Sequence, residues 1–330
     1  MRKNNKFRIA IDLLGSDTSP SELLGPILAL HEELKEKVLF TLFLPPDLLK
    51  KIPSAVHAIA CDEVITMEDD PLFAVRKKKN SSIVQGMLLL QRGEIDAFIS
   101  AGNTGALFAS SQIMLSLLPG IERAALVTLL PTKKKEVAVI DVGANLSCRP
   151  EHLVQFALMG IAYQKSRGIE KPRVGLLNIG TEPKKGTPEL REAYQRLQDL
   201  SQQKGSFSFA GNIEGRDVFQ GDLDLLVTDG FSGNVFLKTA EGLAASILEF
   251  LAENSADLPA SHLKASLSSL RHRLHYAEYP GAILCGVEGI IIKCHGTASI
   301  PSMTSSVRAA MHLVQHSFLD KIKAELLHTP

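Results

Sequence analysis

The sequence predicts a largely parallel α/β sheet covered by helices, and three observations predict it. Short β-rich runs alternate with segments of helical period, the signature of strand–helix–strand units. Those runs are nearly continuous in apolar residues, as expected of strands covered on both faces. Several of them also end in a short turn rich in Gly, Asn, Ser or Thr, which suits a reversal from strand into helix.

"FRIAID" (Phe7–Asp12) is the first strand, followed by a helix starting near Pro20. "VLFTLFLP" (Val38–Pro45) is the second. In "SSIVQGMLLLQRG" the residues Ile83, Met87 and Leu90 share one helical face. Then come "DAFIS" (Asp96–Ser100), "AALVTLL" (Ala124–Leu130), "EVAVID" (Glu136–Asp141) and "RVGLLN" (Arg173–Asn178). "FSFA" (Phe207–Ala210), "LDLLVTD" (Leu223–Asp229) and "GIIIKC" (Gly289–Cys294) complete the strands. Two long helical segments, roughly Asn234–Asn254 and Pro259–Tyr276, read as a helical hairpin. A closing helix from about Ser302 places Val307, Met311, Val314, Phe318 and Ile322 on one stripe.

Length and composition bound the function. A chain of 330 residues, 45% hydrophobic and 22% charged, has a substantial core and fits one large or two intimate domains. Zero formal net charge argues against a dedicated nucleic-acid binder. Cys61, Cys148, Cys285 and Cys294 show no C-x-x-C spacing, which points to reduced thiols in a cytoplasm rather than a zinc ribbon. Asp12 interrupts the apolar stretch near the start, so no signal peptide is expected. The uncharged run Ala97–Ile121 carries too many Ser, Asn and Gln residues for lipid and reads as a buried helix behind a glycine-rich turn.

The turns carry the chemistry. "AGNTGA" (Ala101–Ala106), "VGAN" (Val142–Asn145), "IGTEPKKGT" (Ile179–Thr187), "GNIEGRD" (Gly211–Asp217), the turn Gly230–Asn234 and "HGTAS" (His295–Ser299) each follow a strand. In a parallel sheet such turns share the carboxyl edge, where open α/β folds bind ligands. Glycine permits close backbone approach, and free N–H groups at helix starts favour an anion. No G-x-G-x-x-G, Walker or G-x-S-x-G motif is present. Asp12, Asp141 and Asp229, all at strand ends, are expected to cap loop N–H groups.

These motifs, with "PEHLVQFALMG" (Pro150–Gly160), "GLLNIG", "DGFSGN", "LKTAEG" (Leu237–Gly242) and "IKCHG", resemble the bacterial phosphate acyltransferases of phospholipid synthesis, the PlsX type. The resemblance runs from about Phe7 to the final helix. Departures exist: "DLLGSD" stands where "DAMGGD" is usual, and Thr181, Thr187 and "TAS" after Gly296 differ from the family pattern. The resemblance implies a Rossmann-like three-layer α/β/α sandwich, isopropylmalate dehydrogenase/phosphotransacetylase-like, with a protruding helical hairpin at about 234–277 on one large catalytic domain spanning 1–330. It implies transfer of a fatty acyl group from acyl carrier protein to inorganic phosphate, giving acyl phosphate for phosphatidic acid synthesis. It further implies a homodimer and peripheral contact with the inner face of the cell membrane. A membrane glycerol-3-phosphate acyltransferase would act downstream, and no cofactor, metal or nucleic acid is called for.

The turn residues suit direct transfer in a ternary complex. Phosphate is largely dianionic near neutrality, and a thiolate leaves without obligatory protonation. What remains is positioning, charge screening and oxyanion stabilisation. Asn103, Thr104, Gly105, Gly143, Asn145, Gly233 and Asn234 are expected to bind phosphate or the acyl carbonyl. Lys185 would neutralise phosphate charge, or serve as a solvated loop lysine. His295 would donate to the oxyanion or leaving sulfur, or bond its own loop. Arg216 would bind an anion or pair with a neighbouring carboxylate, and Cys294 reads as a buried structural thiol. "RKKK" (Arg76–Lys79) and "KKK" (Lys133–Lys135) are candidate docking runs for an acidic carrier protein. The stripe Leu263, Leu267, Leu270 and Leu274 beside Lys264, Arg271 and Arg273 suits a membrane surface or a dimer. Two alternatives stay open: an NAD-dependent dehydrogenase of the related fold, and a non-catalytic acyl-carrier-binding membrane scaffold.

Overall fold

A computed structural model describes residues 6–254, 281–294 and 299–327. The chain falls into two compact units, Met1–Leu126 with Pro280–Pro330, and Val127–Tyr279. Its strands are β1 (Phe7–Asp12), β2 (Val38–Leu44), β3 (His57–Ala60), β4 (Ala97–Ser100), β5 (Ala125–Pro131) and β6 (Glu136–Ile140). They continue as β7 (Arg173–Leu177), β8 (Ser208–Ile213), β9 (Leu225–Val227), β10 (Ala282–Cys285) and β11 (Ile290–Lys293).

In the first unit the strand order is β3-β2-β1-β4-β11-β10. All neighbours are parallel except β10 with β11. Ile9, Ile11, Phe98, Ile99, Ile291 and Ile292 are fully buried, so the centre of this sheet is covered on both faces. Helix α1 (Pro20–Leu34) opens on a capping box: the Ser19 side chain accepts from the Glu22 amide, and Glu22 reaches back to the Ser19 amide. Helices α2 (Pro71–Lys77), α3 (Ser82–Gln91) and α4 (Thr104–Met114) follow. The uncharged run behind "AGNTGA" is thus the α4 region, with Ala106, Leu107, Ala109, Ser110 and Ser111 buried.

In the second unit β6, β9, β7 and β8 are neighbours in that order and mutually parallel, while β5 pairs with β6 antiparallel. Helices α5 (Pro150–Ser166), α6 (Pro188–Lys204), α7 (Gly215–Val218) and α8 (Gly230–Asn254) complete it. Gly160 of α5 sits where a Cβ would meet Leu225 of β9 at 2.5 Å, which lets this helix press close to the sheet.

The structure departs from the sequence reading in four places. Gly230–Asn234 is the first turn of α8, because Asp229 accepts from the Ser232 amide and starts the helix there. The closing helix is two helices, Ile300–Gln315 and Phe318–Leu326, broken where Ser317 takes a positive φ of 49°. Leu313 is buried in the first of these, whereas Met311 and Val314 are only half-buried. Strands β3 and β10, four residues each, were not expected. The second arm of the anticipated hairpin, Pro259–Tyr276, lies outside the described residues, as do its leucine stripe and His295.

Candidate functional site

In the second unit, four parallel strands deliver four loops to one carboxyl edge. The loop after β6 is organised by Asp141, which is wholly buried. Its Oδ1 accepts from the amides of Gly143 (3.2 Å) and Ala144 (3.0 Å). Its Oδ2 accepts from the Asn145 amide and from Asn145 Nδ2, both at 2.8 Å. One carboxylate therefore holds the whole "VGAN" turn. Gly143 has φ +139°, a conformation that glycine tolerates, and a Cβ there would meet Asn234 Nδ2 at 3.0 Å.

The start of α8 packs directly on that loop. The Gly230 amide donates to the Asn145 carbonyl at 2.7 Å, and Asn234 Nδ2 donates to the Val142 carbonyl at 3.1 Å. A Cβ on Gly233 would lie 1.9 Å from the Asp141 carbonyl oxygen. The close approach served by Gly233 is thus between two parts of the protein itself. Asp229 takes the Ser232 amide at 2.8 Å and its hydroxyl at 3.0 Å, so this serine is committed to its own cap.

The loops after β7 and β8 are tied together. Asn178 Nδ2 donates to the Lys185 carbonyl at 3.1 Å, and Asn212 Nδ2 to the Glu182 carbonyl at 2.8 Å. Gly186 has φ +85°, with Asn178 where a Cβ would be. Lys185 is exposed, and its ammonium makes no hydrogen bond or ion pair among the described residues. Its stem lies over Gly180, where a Cβ would meet Lys185 Cγ at 3.1 Å. Arg216, 80% exposed, pairs with Glu214 at 3.0 Å and stands 3.8 Å from Asp217. The Gly215 turn reaches α8: a Cβ on Gly215 would touch the Phe236 ring at 3.5 Å.

The first unit has its own cluster at the carboxyl ends of β1, β4 and β11, where Asp12, Ser100 and Lys293 are in register. Asp12 Oδ1 accepts from the Leu14 amide at 2.8 Å and Oδ2 from the Ser100 hydroxyl at 2.7 Å. Lys293, almost buried, donates to the carbonyls of Ala101 (3.1 Å) and Cys294. Asn103 caps α4, accepting from Ala106 at 3.0 Å and donating to Thr66 at 2.9 Å. Its amide is therefore committed to holding the "AGNTGA" turn. Thr104 is exposed and Gly105 half-buried in the first turn of α4, next to Pro71.

Lys293 was missed in the sequence reading, although a lysine ending the apolar run "GIIIKC" is a signal, since charge is rarely buried in a strand without a partner. Cys294 is buried, with its thiol 3.1 Å from the Ser306 hydroxyl, and burial raises its pKa.

Burial also pushes the Asp12 carboxyl up to about 6, against the lowering effect of its hydrogen bonds from Ser100 and Leu14. The folded chain therefore binds a proton more tightly than the unfolded one, so this group stabilises the fold at low pH. That contribution declines as pH rises from about 4 to about 6 and then levels off. Asp12→Asn is expected to flatten this part of the stability–pH curve, by about 2–3 kcal/mol across the window. Urea unfolding at a series of pH values checks it, and a mutant curve parallel to the wild type refutes it.

The candidate docking runs differ in how far they are spent. Lys134 and Lys135 pair with Asp222 and Asp224. In the other run Lys78 pairs with Asp69 at 2.6 Å, but Arg76 and Lys77 are exposed on α2 beside exposed Leu72 and Phe73.

Residues 7–321 match the family described as fatty acid synthesis protein. The chain is 41% identical over 332 residues to the phosphate acyltransferase of Desulforamulus reducens, with 97% of each chain covered. It is 40% identical over 329 residues to that of Thermotoga maritima, with 98% of each covered. Among solved structures it resembles a phosphotransacetylase from Streptococcus pyogenes (TM-score 0.62, 15% identity, 94% of each chain). It also resembles a 4-hydroxythreonine-4-phosphate dehydrogenase from Klebsiella pneumoniae (TM-score 0.54, 14% identity, 94% of this chain and 100% of that one). At such identities the likeness is one of fold.

Proposed function

The chain belongs to the fatty acid synthesis protein family of phosphate acyltransferases, and we propose that it moves a fatty acyl group from acyl carrier protein to inorganic phosphate. The observation that carries the reading is Lys185: an exposed ammonium, unpaired among the described residues, on a loop braced by two buried asparagines at the carboxyl edge. A dianionic oxyacid needs such a counter-charge before it approaches a carbonyl.

In the proposed reaction a phosphate oxygen attacks the thioester carbon, and the tetrahedral oxyanion collapses with cleavage of the C–S bond. The phosphate proton ends on the departing thiol, so acyl phosphate and free carrier thiol are the products and charge balances. No acyl-enzyme is needed. In the second unit the Asn234 side-chain amide, which gives the Val142 carbonyl one of its two hydrogens, is a donor proposed to position the reactants, and His295, outside the described residues, is the donor proposed for the oxyanion or sulfur. Arg76 and Lys77, flanked by Leu72 and Phe73, support docking of an acidic carrier protein on α2, whose Pro71 touches the α4 turn.

The reading extends to a homodimer resting on the inner face of the cell membrane and supplying a membrane glycerol-3-phosphate acyltransferase. Exposed Phe231, Val235 and Phe250 of α8 support such an attachment. No helix among the described residues is long and apolar enough to cross a membrane.

The test is incubation with long-chain acyl carrier protein and phosphate, then trapping of acyl phosphate with hydroxylamine after unreacted thioester is removed. Phosphate-dependent hydroxamate is the expected product. A fatty group isolated on a side chain of the protein, competent for transfer to phosphate, refutes direct transfer. Cys294→Ser is expected to retain transfer within about twofold, because a buried thiol of raised pKa supplies little thiolate. Loss of transfer with an unchanged melting curve would make the thiol a participant.

A further inference from the structure

Beyond the turns, the second unit carries an apolar groove of about 490 Å³ along one side of α8. Phe219 and Phe236, ring centroids 5.5 Å apart, line it together with Leu243 and Ile247. The small residues Ala240 and Ala244 also line it. The polar side chains lining it are Arg216 and Thr239.

We infer that this groove holds the aliphatic chain of the acyl donor, an inference that rests on the acyl-transfer reading above. Three observations point to that occupant. First, the groove starts near the N-terminal end of α8, the end that packs on the Asp141 loop, and the Gly215 turn lies against the Phe236 ring there. Second, its lining follows the length of α8. Phe236, Ala240, Leu243 and Ile247 recur along one helix face, and eleven residues of helix span about 16 Å, enough for an extended chain of about a dozen carbons. Third, its chemistry is that of a methylene chain. Among the described residues its only polar side chains are Thr239 on α8 and Arg216, which lies beside Gly215, where a thioester would emerge. Leu243 is 62% exposed and Ile247 41%, so the trough presents apolar surface that an alkyl chain would cover.

Two variants test this, Leu243→Glu, at an exposed position that tolerates charge, and Ala244→Trp, which fills the trough. Transfer to phosphate is measured with hexadecanoyl and with butanoyl thioesters. Each buried methylene is worth about fourfold in affinity, so both variants are expected to lower kcat/KM for the hexadecanoyl donor at least about tenfold. The butanoyl donor, too short to run along the groove, is expected to change less than about twofold. In parallel, a fluorescent polyene fatty acid is titrated without phosphate or donor; the wild type is expected to bind it and Leu243→Glu to bind it at least about tenfold more weakly.

Equal losses for both donors, or no loss for either, overturn the proposal. So does polyene binding that Leu243→Glu leaves intact. A change of oligomeric state with an unaltered chain-length profile also overturns it, and makes this face an interface between copies. A wild type that transfers neither acyl group to phosphate refutes the acyl-transfer reading instead, while the polyene titration still decides the groove.

Discussion

Gly233→Ala is expected to destabilise the second unit by about 3 kcal/mol and to lower the melting temperature by about 10 °C. The reason is purely spatial. A methyl group on that residue would lie 1.9 Å from the Asp141 carbonyl oxygen and 2.7 Å from the Thr228 side chain. Neither neighbour can yield cheaply, because Asp141 is wholly buried and its carboxylate is anchored by three amides and the Asn145 side chain. Pushing the carbonyl away would also disturb the Asn234 bond to Val142. A matched control lies in the same helix: Gly242 has nothing within 4 Å of a Cβ position. Gly242→Ala is therefore expected to stabilise by about 0.5–1 kcal/mol through helix propensity alone. Thermal melts of both variants, followed by circular dichroism, decide it. A Gly233→Ala melt within about 2 °C of the wild type would show that the loop has more freedom than this packing allows.

That glycine illustrates what was legible in the sequence and what was not. The alternation of apolar runs with helical periods located most strands correctly, because burial on both faces leaves an unmistakable continuous stretch such as "FRIAID" or "GIIIKC". Capping by the aspartates was legible too, since a carboxylate at a strand end has few other partners; Asp12, Asp141 and Asp229 each accept from amides two to four residues on. The partner of each glycine was not legible. Gly233 and Gly105 read equally well as sites where a ligand approaches or where another part of the chain does, and the difference lies in residues about 90 and 30 positions away, Asp141 and Pro71. The fate of the asparagines was hidden for the same reason. Asn103 and Asn145 spend their amides on Thr66 and Asp141, contacts set by topology rather than by local pattern. Pairing of the lysine runs likewise needed the fold: Asp222 and Asp224 neutralise Lys134 and Lys135 from almost 90 residues downstream.

Lys185→Ala is expected to lower kcat for transfer to phosphate by about 10²–10³-fold while leaving the melting temperature unchanged. Stability is untouched because the side chain is exposed and its ammonium supports no bond among the described residues. On the proposed reading, turnover falls because the carbonyl attack brings a dianion toward a developing oxyanion, and the Lys185 charge would lower that repulsion more in the transition state than in the ground state. The backbone around this side chain is braced. Asn178 holds its carbonyl, Gly186 makes the left-handed turn after it, and Gly180 leaves room for its stem. Its neighbour Lys184, equally exposed, has no such bracing, so Lys184→Ala is expected to stay within about twofold of wild type. Lys185→Arg separates charge from shape: partial recovery over Lys185→Ala implies a screening role, whereas none implies that a compact ammonium must reach the reacting atoms. Gly180→Ala would displace the stem by pressing on Cγ, and is expected to reproduce part of the kcat loss without removing the charge. Equal turnover by the Lys184 and Lys185 alanine variants would return this lysine to the solvated surface.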